Sequence, residues 1–195
     1  MKLYYAPGAC SLAGHIALHE AGLAFDRVKV DLKTHLTEDG RPFMEINPKG
    51  YVPALAFDDD QVLTENVAIL SWIADRAPAL APNGPMGRYR LLETLAYIST
   101  EVHKAFKPFF KPGATDQEKS EAGQQVEKRL GLLEGRLGGG YLFGEQATVA
   151  DAYLFVMLRW AGANDLKIPE RLAAFMGRMG DRPAVRLALR HEGLS

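Results

Sequence analysis

The chain has 195 residues, 47% of them apolar and 24% charged, with a net charge of −1. That length allows one large domain or two small ones with a core of their own. The near-neutral charge argues against a nucleic-acid or anionic-membrane surface, and a single cysteine excludes an intrachain disulfide. The longest apolar stretch, around Val67 to Ala74, is far too short to span a bilayer. Residues 1–23 carry Pro7, Gly8, His15, His19 and Glu20 where a secretory signal would be apolar. A cytoplasmic protein is therefore expected.

Lys2 to Ala6 reads as a short strand ended by the turn pair Pro7-Gly8. Ser11 then suits the N-cap of a helix running to about Gly22, with Leu12 and Ile16 facing inward. Phe25 to Val30 reads as a second strand, and the polar residues 31–50 as mainly loop. Val52-Pro53 leads into a third strand at Ala54 to Phe57. Asp58-Asp59-Asp60 turns into a fourth at Gln61 to Leu63, and a helix follows from Glu65 to about Arg76. The order is β-α-β and then β-β-α, within residues 1–77. Residues 78–87, with Pro78, Pro82, Gly84, Pro85 and Gly87, have linker composition. Over 88–195 only helical spacing recurs: Leu91, Leu95, Ile98 and Val102; Val126, Leu130, Leu133 and Leu137; then Leu154, Met157, Leu158 and Ala161. Thr148-x-x-Asp151 reads as a capping box for the last of these.

Several residues carry chemistry. Cys10 stands at the start of the first helix, where free N–H groups and the helix dipole favour an anion and lower a thiol pKa; the alternative is a small buried hydrophobe. Tyr5 and Ser11 are rival activating hydroxyls, or else a core strand residue and a plain cap. Ala96, Ser99 and His103 share one helical stripe by spacing. Phe106, Phe109, Phe110 and Trp160 form either an apolar wall or ordinary core. Lys104, Lys107 and Lys111 read as a solvated face. His15 and His19 are an i,i+4 pair, but without nearby Cys or His partners in the sequence no metal site is expected.

Taken in order, Met1 to Leu12, Asn47 to Leu55, Leu63-Thr64-Glu65, Glu101 to Phe106, Thr148 to Asp151 and Leu158 to Ala161 resemble the bacterial beta-class glutathione transferases over nearly the whole chain. The resemblance implies a thioredoxin-like α/β N-terminal domain with a four-stranded mixed sheet, an all-α C-terminal domain, and a homodimer. It implies glutathione as co-substrate and a small hydrophobic electrophile as its partner. Cys10 would lie against the glutathione sulfur and His103 beside it. Val52, before a cis Pro53, would pair with the cysteinyl part of glutathione. Glu65 and Asn66 would hold the γ-glutamyl end, and Glu101 would reach the ligand of the other subunit. The chain departs from its relatives in three places. Asn66 replaces a frequent Ser, Ala96 a frequent Asn, and His35 a frequent Lys. A histidine carries only part of a charge at neutral pH, so glutathione affinity should vary between about pH 6 and 8. Two other readings remain beside transfer: glutathione-dependent thiol–disulfide exchange or peroxide reduction through a Cys10 mixed disulfide, and sequestration of apolar ligands without turnover.

Overall fold

Strand β1 (Lys2–Tyr5) is buried on both faces, with Leu3 and Tyr5 packed on one side and Tyr4 on the other, as the two-residue period of a strand requires. It is the centre of the sheet in this computed structural model, which describes residues 1–194. β2 (Asp26–Asp31) lies parallel to β1, and β4 (Ala54–Ala56) antiparallel to it on the other side. β5 (Val62–Thr64) pairs with β4, and a two-residue β3 (Leu36–Thr37) with β2, giving the order β3-β2-β1-β4-β5. The expected sheet of four strands thus has a fifth at its edge. β3 is too short to show alternation, and it sits in a polar turn where the Thr37 hydroxyl contacts Asp39 and the backbone of Arg41.

Helices α1 (Leu12–Glu20) and α2 (Asn66–Arg76) cover one face of the sheet. Ser11 does not cap α1 by its side chain. It is fully buried, and its Oγ accepts from the Ala6 N–H and donates to the Ala6 carbonyl, tying the end of β1 to the helix. After a 3₁₀ turn at Pro78–Leu80 the chain is helical: α3 (Gly87–Tyr97), a π-helical turn Ile98–His103, α4 (Lys107–Phe110), α5 (Asp116–Glu134), α6 (Val149–Ala163), α7 (Glu170–Gly180) and α8 (Pro183–Glu192). α6 is buried at every position from Val149 to Leu158 and forms the spine of this part. Its capping box places the Asp151 carboxylate within 2.7 Å of both the N–H and the hydroxyl of Thr148.

One apolar cluster runs through both parts, joining Leu3, Leu12 and Leu70 to Leu95, Phe155 and Val185. Polar ties reinforce it. Arg182 grips Glu20 through two bonds of 2.6 and 2.8 Å, the bidentate form an arginine–carboxylate pair favours. Trp160 Nε1 donates to the Gly8 carbonyl at 2.8 Å. Among the described residues no helix is long and apolar enough to cross a membrane.

Candidate active site between sheet and helices

A cavity of about 470 Å³ opens between the C-terminal end of β1 and the helical part. Its floor is the loop Ala6 to Cys10 with Val52, and its far wall is His103, Phe110 and Trp160; Leu32 and Tyr51 close the rim. Cys10 Sγ lies 3.4 Å from the Val52 carbonyl and donates to it. The Val52–Pro53 peptide is cis, and the Val52 N–H makes no hydrogen bond among the described residues.

The thiol of Cys10 is not the lowered one that its place at a helix start suggests. Burial pushes it up to about 12; the Cys10 N–H is the chief opposing influence, Glu65 raises it further, and the Ser11 N–H and Asn66 lower it a little. At the Cys10 sulfur itself the N–H groups of the helix start do not offset the water lost on burial, so desolvation prevails there. Asn66 stands behind the cysteine. Its Nδ2 donates to the Cys10 carbonyl at 2.9 Å, and its buried Oδ1 has no partner. This side chain orients Cys10 through one N–H and keeps the second N–H of the amide.

His103 reaches the cavity because of the π-helical turn that contains it. The wider turn breaks the expected stripe: Ala96 points to solvent while His103 turns inward. Tyr153, from α6, places its hydroxyl 2.7 Å from His103 Nδ1. Burial raises the Tyr153 phenol far above its ordinary value, so it stays protonated and can donate to His103 Nδ1; in that tautomer His103 carries its own proton on Nε2. Burial and Lys104 lower the His103 pKa, which keeps the ring neutral. Sequence reasoning passed over Tyr153, although a signal existed. It is the one phenol in a run of Leu, Phe, Val and Met, and a buried phenol needs a partner.

Glu65, the N-cap residue of α2, has φ 72°, a positive-φ conformation that a glutamate adopts only under constraint, at a cost of about 1–3 kcal/mol. Its carboxylate accepts from Lys49 Nζ at 2.5 Å and Tyr51 OH at 2.8 Å. The Lys49 and Tyr51 contacts hold the acid below its ordinary pKa. Neither Lys49 nor Tyr51 was singled out in the sequence, though both sit in the Asn47–Leu55 stretch.

Other expected site residues do not line this cavity. Tyr5 is buried in the core beside His15, 5.7 Å between ring centroids, and the Ser11 hydroxyl is taken up by Ala6, so neither activates a ligand thiol. Phe106 is fully buried and Phe109 packs on the core; only Phe110 and Trp160 face the cavity, their rings 4.8 Å apart. His35 sits at φ 55° in the turn before β3, its ring against Gly50. Glu101 is exposed and paired with Arg129 at 3.1 Å, away from the cavity of its own chain.

Residues 8–76 match the glutathione S-transferase N-terminal domain, and residues 97–183 match the glutathione S-transferase C-terminal domain. The chain belongs to the glutathione S-transferase family. It is 47% identical to glutathione S-transferase GstA of Escherichia coli O157:H7, over the full length of both chains. Two solved structures are as similar. One is a sphingomonad glutathione S-transferase complexed with glutathione, 47% identical with a TM-score of 0.92. The other is the beta-class enzyme of Sphingomonas chungbukensis, 48% identical with a TM-score of 0.92; both are covered in full, as is this chain. The thioredoxin-like and helical parts are thus those of a glutathione transferase, and the chain is an enzyme of that class.

Proposed function

We propose that the chain conjugates glutathione to small hydrophobic electrophiles at the cavity beside Cys10, as a cytoplasmic homodimer. The observation that carries this reading is one cavity with two unlike walls. The loop Ala6 to Cys10 and Val52 bring backbone groups to one side; Phe110 and Trp160 offer apolar surface on the other, with Leu32 at the rim.

Glutathione pairs its cysteinyl backbone with the Val52 peptide. Its γ-glutamyl ammonium meets Glu65, its α-carboxylate the first N–H groups of α2, and its glycyl carboxylate His35. Glu101 faces outward and meets the γ-glutamyl end of glutathione in the second subunit. The sulfur lies among the N–H groups of Cys10 and Ser11, the His103 Nε2–H, and the Cys10 S–H once glutathione takes its place at the Val52 carbonyl. Each of these donors gains more from a thiolate than from a thiol, so the proton leaves to solvent and the anion is held ready. The thiolate attacks the electrophile resting on Phe110 and Trp160, the C–S bond forms, and the leaving group departs into water.

The raised Cys10 pKa favours this over disulfide exchange, because exchange needs the Cys10 thiolate. The test compares turnover of a generic aromatic electrophile by the wild-type chain, Cys10→Ala and His103→Ala. Conjugation that survives in Cys10→Ala and collapses in His103→Ala supports the reading. Loss of all conjugation in Cys10→Ala makes the mixed disulfide the working species. No turnover by the wild-type chain leaves an apolar-ligand carrier.

A further inference from the structure

Outside the cavity lining, two histidines of α1 and one from the far end of the chain come together. His15 and His19 are one turn apart on α1, and His191 approaches them from α8. Their ring centroids are 5.1, 5.7 and 5.3 Å apart, and one ring nitrogen from each lies within 4.8 Å of the other two. Three nitrogens in the cluster, His15 Nε2, His19 Nε2 and His191 Nδ1, are buried without any hydrogen-bond partner. An unpaired buried nitrogen costs stability, and native structures rarely tolerate several in one place.

The other nitrogen of His15 is firmly held. Nδ1 lies 2.8 Å from Glu192 Oε1, with both side chains fully buried. Glu192 Oε2 in turn accepts from the Gly8 N–H at 2.9 Å. A carboxylate on one ring nitrogen fixes the tautomer and aims the lone pair of the other, the arrangement found behind histidine ligands of metal ions.

We infer that His15 Nε2, His19 Nε2 and His191 Nδ1 form a binding site for a divalent transition-metal ion, with Zn²⁺ as the fitting example. Three imidazoles and no directly facing carboxylate select zinc, copper, nickel or cobalt over magnesium or calcium. Ligation at the zinc–nitrogen distance of about 2.0–2.1 Å requires the nitrogens to draw closer than 4.8 Å. His19 and His191 are only half-buried, so their rings can turn inward and a water can fill a fourth position. Arg27 is close enough to oppose a cation, which sets a limit on affinity without blocking any ligand nitrogen. An ion here would clamp α8 to α1 and, through Glu192, brace Gly8, which lines the substrate cavity.

The test uses the full chain carrying Cys10→Ala, so that the lone thiol contributes nothing. Zn²⁺ is titrated by calorimetry, and Co²⁺ is followed by its visible d–d absorption. One ion per chain is expected, with a tetrahedral or five-coordinate cobalt spectrum and a Tm that rises with zinc concentration. His19→Gln and His191→Gln, both at half-buried positions, should fold and should each weaken binding at least tenfold. Absence of saturable binding at one ion per chain overturns the inference, as does binding that survives unchanged in both variants.

Discussion

At the scale of single residues, the account turns on Cys10 as a thiol. Its pKa of about 12 lies above the ordinary value of 9.0, because burial outweighs the N–H groups of the helix start. In the folded chain the proton is retained while the unfolded chain loses it near pH 9. The stabilisation is therefore complete below pH 9 and is lost as pH rises toward 12. Alkylation of Cys10 should be slow at pH 7 and keep accelerating through pH 10; a plateau below pH 8, measured by mass spectrometry of timed samples, contradicts a buried thiol. Tyr153 is the second such residue. If its hydroxyl sets the His103 tautomer, Tyr153→Phe lowers kcat about fivefold, the worth of one hydrogen bond at about 1 kcal/mol, with little change in KM for glutathione. It should also shift the acid limb of the kcat–pH profile, which lost packing alone would leave in place.

Elements show why parts of the site were legible and others were not. Cys10 was readable from its place at a helix start, whereas the roles of Val52 and His103 came from the family resemblance, with the X-Pro pair as a local cue to the first. The structure gathers all three at one cavity. The π-helical turn Ile98–His103 has no periodic signature, so the expected companionship of Ala96 and His103 does not exist. Ser11 and Tyr5 failed for another reason: their side chains resemble activating hydroxyls in sequence, and only tertiary packing shows them turned into the core. The helical part begins under a constraint that is not periodic either. A Cβ on Gly87 would come within 2.0 Å of the Pro82 carbonyl oxygen, so only glycine lets the connection fold back onto the first turn of α3. Gly87→Ala should cost about 1–3 kcal/mol, seen as a lower urea midpoint. A midpoint equal to wild type means that the connection shifts freely.

Across the whole molecule, one apolar cluster spans the sheet and the helices, and the bonds of Arg182 to Glu20, Trp160 to Gly8 and His15 to Glu192 cross between them. Composition suggested two units and a linker, and the order of elements agrees, but the density of contacts between them is beyond what spacing can reveal. The two tryptophans report on the two parts: Trp72 lies on α2 beside the sheet and Trp160 on α6. Urea unfolding followed in Trp72→Phe and in Trp160→Phe should give a single transition each, with midpoints that coincide after correction for each substitution. Two separated midpoints contradict a shared core. The same integration builds the candidate cavity, whose floor comes from the loops at the ends of β1 and before β4 and whose far wall comes from the helices.

The central claim is that this cavity holds glutathione as a thiolate without needing Cys10 to ionise. The most direct measurement is a pH titration of the ultraviolet thiolate absorbance of glutathione bound to the Cys10→Ala chain, in which no protein thiol interferes. The account predicts a bound-glutathione pKa well below the value of about 8.5 for a free thiol. A bound pKa equal to that of free glutathione contradicts it.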